Sequence, residues 1–71
     1  MVKWVIDWPQ AKAYHDSVRT QLGGVVWAVR MPKSYPECRV TRQGIAHIAI
    51  TDDESLVEEL RFNGGDAQVL P

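Results

Sequence analysis

Cysteine is nearly absent from this chain. Cys38 is the only one, so no disulfide can form within the chain, and the chain does not read as a stapled secreted scaffold. His15 and His47 are the only imidazoles, and no CxxC, HxxxH or HxH unit accompanies them, so nothing points to a metal site. Long apolar runs are missing too: no stretch approaches the ~20 residues that a membrane-spanning helix needs. No charged start followed by an apolar core reads as a signal peptide, and a cytoplasmic location is the expectation. The glycine pairs, Gly23-Gly24 and Gly64-Gly65, lack the GxGxxG and P-loop contexts, and both follow candidate helices, so they read as stop signals and not as phosphate cradles. Repeats, linkers and low-complexity tracts are also lacking.

What is present fits one domain, residues 1–71. Hydrophobic residues make up 45% and charged residues 24%, an ordinary globular balance. Three tryptophans add burial capacity to a chain of this length. A single core of this size leaves little margin of stability, which favours association with a partner or a second copy. The net charge of −1 hides a separation. Residues 1–43 carry seven Lys or Arg against three carboxylates, a balance of +4; residues 44–71 carry Arg61 against six, a balance of −5. Such a division can orient an encounter with a charged partner.

Val2 to Trp8 alternates, with Trp4, Ile6 and Trp8 on one side and Lys3, Val5 and Asp7 on the other, as a half-buried strand does. Pro9 suits the first turn of a helix, with Asp7 the available cap. Over Pro9 to Leu22, the residues Ala11, Tyr14, Val18 and Leu22 form one apolar stripe, and Gly23-Gly24 stops it. Val25 to Met31 is a second strand, whose bulkier set (Val25, Trp27, Val29, Met31) is expected to face the core. Pro32 and Pro36 bracket a loop. Cys38 to Arg42 and Ile45 to Thr51 then read as a hairpin turning at Gln43-Gly44, the first arm weak enough to be an edge strand or extended loop. Thr51-Asp52-Asp53-Glu54 matches the Thr-x-x-Glu capping box of a helix that carries Leu56, Val57 and Leu60 and ends at Asn63-Gly64-Gly65. Asp66 to Leu70 is the last strand.

This order of strand, helix, strands, helix, strand predicts an α+β fold. The expectation is a βαββαβ, ferredoxin-like sandwich: an antiparallel sheet with two helices on one face, and a short extra strand at 38–42 if that weak arm pairs. Trp4 and Trp27 would lie beneath the helices. The opposite face would then present Val5, Val26, Ala28, Ile45, His47 and Ala49, small and apolar for a surface in water, and so a place for a second subunit or another protein.

No catalytic constellation emerges: neither histidine has a Ser, Cys or carboxylate at a spacing that builds a relay, and each is expected at the surface or half-buried. Neither a cofactor nor a metal is expected. Two charged clusters remain as candidate partner-binding surfaces. One is a basic stretch with an aromatic, Arg30, Lys33, Tyr35, Arg39 and Arg42; the other is an acidic helix, Asp52, Asp53, Glu58 and Glu59. The leading expectation is a small non-enzymatic protein-binding module, an inhibitor that docks on or blocks a partner protein, and that forms a homodimer. Phage-type inhibitors of host defence, such as anti-CRISPR proteins, offer an analogy from size alone. The first alternative is a nucleic-acid-binding regulator using residues 30–42, disfavoured by the missing RNP-like motif and the acidic half. The second is a small-molecule sensor or accessory enzyme subunit.

Overall fold

A computed structural model describes residues 2–21 and 24–71. Its elements are β1 (Val2–Val5), α1 (Trp8–Val18), β2 (Val26–Arg30), β3 (Arg39–Thr41), β4 (Gly44–Ala46), β5 (Ile48–Thr51), α2 (Glu54–Phe62) and β6 (Asp66–Leu70). The strands β1, β5, β2 and β6 form a four-stranded sheet in that order, and β3 pairs with β4 in a small second sheet. Every pairing is antiparallel. The α+β class, the βαββαβ succession, the single antiparallel main sheet and the extra strand near 38–42 are as the sequence predicts.

Local chemistry sets the helix ends. Asp7 caps α1: its Oδ1 accepts from Gln10 N at 2.9 Å, and Gln10 Oε1 in turn accepts from Ile6 N at 3.2 Å. Helix α2 is capped by Asp53, not by the predicted Thr51. Asp53 Oδ1 accepts from Ser55 N at 3.0 Å and Leu56 N at 3.3 Å, while the Thr51 hydroxyl, buried at the end of β5, accepts from Asp53 N at 3.0 Å. The Thr-x-x-Glu pattern is therefore shifted: a nearer carboxylate wins the free amides. The predicted stop at Gly23 and the stripe member Leu22 lie outside the described residues.

The placement of the helices corrects the one-faced expectation. Strands β1 and β2 both run antiparallel to β5, so they are parallel to each other; β5 and β6 are likewise parallel, each being antiparallel to β2. Helix α1 joins the first pair and α2 the second, and both connections advance the same way across the sheet. They start from strands that run in opposite directions. Two crossovers of the same hand must then put their helices on opposite faces. A one-faced arrangement would need β6 beside β1.

Two cores follow. Ala11, Trp8 and Tyr14 of α1 pack on Val5, Val26, Ala28, Ile48, Ile50 and Leu70. On the other face Val57, Leu60 and Leu56 of α2 pack on Trp4, Trp27, Val29, Ala49 and Met31, joined by Tyr35 and Cys38 from the loop. The cross-strand register agrees: Val5 opposes Ile48 on one face, and Trp4 opposes Ala49 on the other. Both alternating sets of β2 are therefore used, and the bulkier one does not hold the core alone. Trp4 and Trp27 lie on the α2 face only, both half-buried.

The predicted arm Ile45 to Thr51 breaks at His47. Its Nδ1 lies 2.9 Å from Ile45 O, and its own carbonyl accepts from Met31 N at 2.8 Å. β4 thus leaves the main sheet to pair with β3, turning at Gly44 with φ +139, a conformation that suits glycine. Among the described residues no helix is long and apolar enough to cross a membrane.

Candidate functional site

The expected open sheet face does not exist. Val5, Val26, Ala28 and Ala49 are buried, the first three beneath α1 and Ala49 beneath α2. Ile45 and His47 are half-buried in β4 and the link that follows it. These six residues are interior or connecting structure, because each face of the sheet already has its helix. His15, expected at or near the surface, is also buried on the inner side of α1.

The charged clusters are dispersed as well. Arg30 turns to the α1 face, where its guanidinium lies 5.1 Å from the centroid of the Trp8 ring. Lys33 stands beside Ile6, Asp7 and the Gln43-Gly44 turn. Arg39 is on β3 and Arg42 is exposed at the hairpin turn that Lys33 adjoins, while Arg30 and Tyr35 are turned to opposite faces of the main sheet. Of the acidic set, Asp53 is engaged as a cap, Asp52 is half-buried beside it, and Glu58 and Glu59 are exposed on α2.

One residue from each cluster does meet. The proline-bracketed loop folds back through hydrogen bonds from Tyr35 N to Pro32 O at 2.9 Å and from Cys38 N to Tyr35 O at 3.0 Å. The Cys38 thiol adds a contact to Pro32 O at 3.3 Å. These turns bring the Tyr35 ring onto the α2 face, stacked against Trp4 with centroids 6.3 Å apart and planes inclined by 29°. Beside the pair lies a groove of about 170 Å³, with Val2, Leu56 and Leu60 as apolar walls and the carboxylates Glu37 and Glu59 at its rim. It opens past Tyr35 into a shallower depression of about 510 Å³ that shares Glu37 and Glu59 and is bounded by Pro32, Pro36 and Asn63. In the other direction a depression of about 440 Å³ shares Val2, Trp4 and Glu37, and brings in Lys3 and Arg39.

The electrostatics of the groove converge on Tyr35. Partial desolvation holds its phenol above the ordinary value, and the negative charges of Glu37 and Glu59 push the same way, with a smaller contribution from Cys38. Burial likewise raises the Cys38 thiol, against a lowering effect of a backbone hydrogen bond at Tyr35. Among the described residues the one ion pair joins Arg19 to Asp16, on an exposed helix surface far in sequence from the groove. Glu37 and Glu59 therefore face the groove without a paired cation among the described residues.

Trp4, Glu37, Val2 and Leu56 are the parts to which sequence reasoning assigns no binding role. A signal for them exists. Leu56 and Glu59 sit three residues apart on one flank of α2, and Trp4 is on an edge strand where its side chain is covered from only one side. No family model, curated protein or solved structure matches the chain.

Proposed function

We propose that this protein is a small, non-enzymatic protein-binding module that docks on a partner, and can block it, through the Trp4–Tyr35 surface. The observation that carries this reading is the stacked, half-exposed aromatic pair of edge-strand Trp4 and loop residue Tyr35, set in a groove with apolar walls and charged rim. Aromatic anchors at the centre of a patch with a polar margin are the usual source of binding energy between proteins. The histidines support a non-enzymatic role, since His15 is buried on the inner side of α1 and His47 lies in the link between β4 and β5 with its Nδ1 near Ile45 O. A cytoplasmic setting suits the reading, because Cys38 contacts the loop carbonyl as a free thiol. An inhibitor of a host-defence protein is one role open to such a module, by analogy of size. The homodimer loses one of its two grounds, because the apolar sheet face is interior, and rests only on the small size of the core.

The test is affinity capture from the cells that make the protein, followed by titration of the purified partner. Tyr35→Ala and Trp4→Lys should each weaken binding at least tenfold, while circular dichroism shows the fold intact. Undiminished affinity in both folded variants would overturn the reading.

A further inference from the structure

We infer that the groove between β1, α2 and the loop receives a single arginine side chain from an extended segment of the partner protein, with the guanidinium over the Trp4–Tyr35 pair and between Glu37 and Glu59. This rests on the protein-binding reading and names what the surface recognises. Three features of the groove agree on a cation with a flat, partly apolar body. The aromatic pair offers ring faces, on which a guanidinium stacks. Glu37 and Glu59 supply two carboxylates at the rim, which a planar fork of N–H donors meets better than an ammonium does. Val2 and Leu56 flank the space through which an aliphatic stem would pass.

The surroundings disfavour a second cation on the Trp4 side. Lys3 and Arg39 line the depression on the Trp4 side, so a polybasic run laid along the groove would meet like charge there. On the Tyr35 side Pro32, Ser34, Pro36 and Asn63 add no charge beyond the same Glu37 and Glu59 that border the groove, which gives the flanking residues of an extended segment room. A nucleic acid strand stacking on the same rings would bring its phosphates against Glu37 and Glu59, so the protein segment is the occupant that the charges favour.

The experiment uses an acetylated, amidated pentapeptide with valines around a central arginine, and its citrulline, lysine and glutamate counterparts, titrated into the labelled full chain. The readout is the shift of the Trp4 indole N–H and of the Tyr35, Glu37 and Glu59 amides. The arginine peptide should shift these resonances, with affinity about tenfold above citrulline, which keeps the shape and removes the charge. Lysine should fall between them and glutamate should not bind. The double variant Glu37→Gln/Glu59→Gln should erase the preference of arginine over citrulline.

Equal binding of arginine and citrulline, or no shift of these resonances at millimolar arginine peptide, would overturn the inference. So would an oligothymidine that shifts them more strongly. None of these results depends on the captured partner. The protein-binding reading fails separately, if folded Trp4 and Tyr35 variants keep the partner's affinity.

Discussion

Trp4 of the edge strand and Tyr35 of the proline-bracketed loop stack with ring centroids 6.3 Å apart, which ties a loop without regular structure to the α2 side of the sheet. The contact is available because the sheet is covered on both sides and β1 is its outermost strand there. Trp4 has α2 and Leu56 on one side and no further strand on the other, so a loop residue can complete its packing only partly. What remains uncovered is the groove. Its position is thus a consequence of strand order: had β6 paired beside β1, Trp4 would sit on a central strand.

The two-sided layering makes a direct prediction. Ala28 faces α1 opposite Ile50, and Ala49 faces α2 opposite Trp4 and Val29; both are fully buried. Ala28→Asp and Ala49→Asp should each destabilise the fold by more than about 3 kcal/mol, since each buries an unpaired carboxylate. Urea unfolding or loss of dispersed amide resonances checks it. If either variant retained wild-type stability, that face would be open to water, and the layering would be wrong.

Most elements were legible because their signals are local. The Asp7 cap with Pro9, the period-two stretch at Val2, the Gln43-Gly44 turn and the Asn63-Gly64 stop each depend on a few adjacent residues. Which helix covers which face is a different kind of fact, fixed by where β6 pairs, more than thirty residues after β2. Alternation separates the two faces of a strand and leaves open which of them is covered. The sign of double coverage was nevertheless present: Val26-Trp27-Ala28-Val29 and Ile48-Ala49-Ile50 are unbroken apolar runs, the pattern of strands buried on both sides. The groove was less legible, because Tyr35 reaches Trp4 through the non-periodic turns of its loop.

Gly65 marks the closest approach of the α2–β6 connection to the sheet. A Cβ there would lie 2.6 Å from Met31 Sδ, 2.7 Å from Val29 Cγ1 and 2.8 Å from the carbonyl oxygen of Leu60. The two side-chain neighbours belong to the α2 core and the third is backbone, so neither side yields freely. Gly65→Ala should cost about 1–3 kcal/mol through overpacking. At Gly44 no atom lies within 4 Å of the added carbon, but φ is +139, so Gly44→Ala should cost a similar amount through backbone strain, confined to the β3–β4 hairpin. Hydrogen exchange separates the two: global protection should fall for Gly65→Ala, and hairpin protection alone for Gly44→Ala.

The cap of α2 distinguishes Asp53 from its neighbours. Asp53 Oδ1 holds two amides of the first turn, whereas Glu54 and Asp52 make no such contact among the described hydrogen bonds. Asp53→Ala should lower stability by about 1 kcal/mol, and Asp53→Asn by less, since the amide oxygen can still accept. Asp52→Asn should change little. Equal losses at Asp52 and Asp53 would mean that the acidic run acts through its charge on the helix dipole and not through the cap.

The loop also sets how stability responds to base. Desolvation raises the Cys38 thiol above 9.0 and the Tyr35 phenol above 10.0, with Glu37 and Glu59 adding to the second. Both groups are neutral when protonated, so a raised value means that the folded state favours the protonated form. The stability they contribute is complete below the unfolded values and is lost as pH climbs through each group's range, first the thiol and then the phenol. Melting temperature should therefore decline from about pH 9 upward. Cys38→Ala should flatten the first part of that decline and Tyr35→Phe the second. Absorbance of tyrosinate gives an independent reading: wild type should show a phenol that ionises late, above the ordinary range, and Tyr35→Phe should remove it. Should the late phenol persist in Tyr35→Phe, the two glutamates do not act on the ring that Trp4 stacks against.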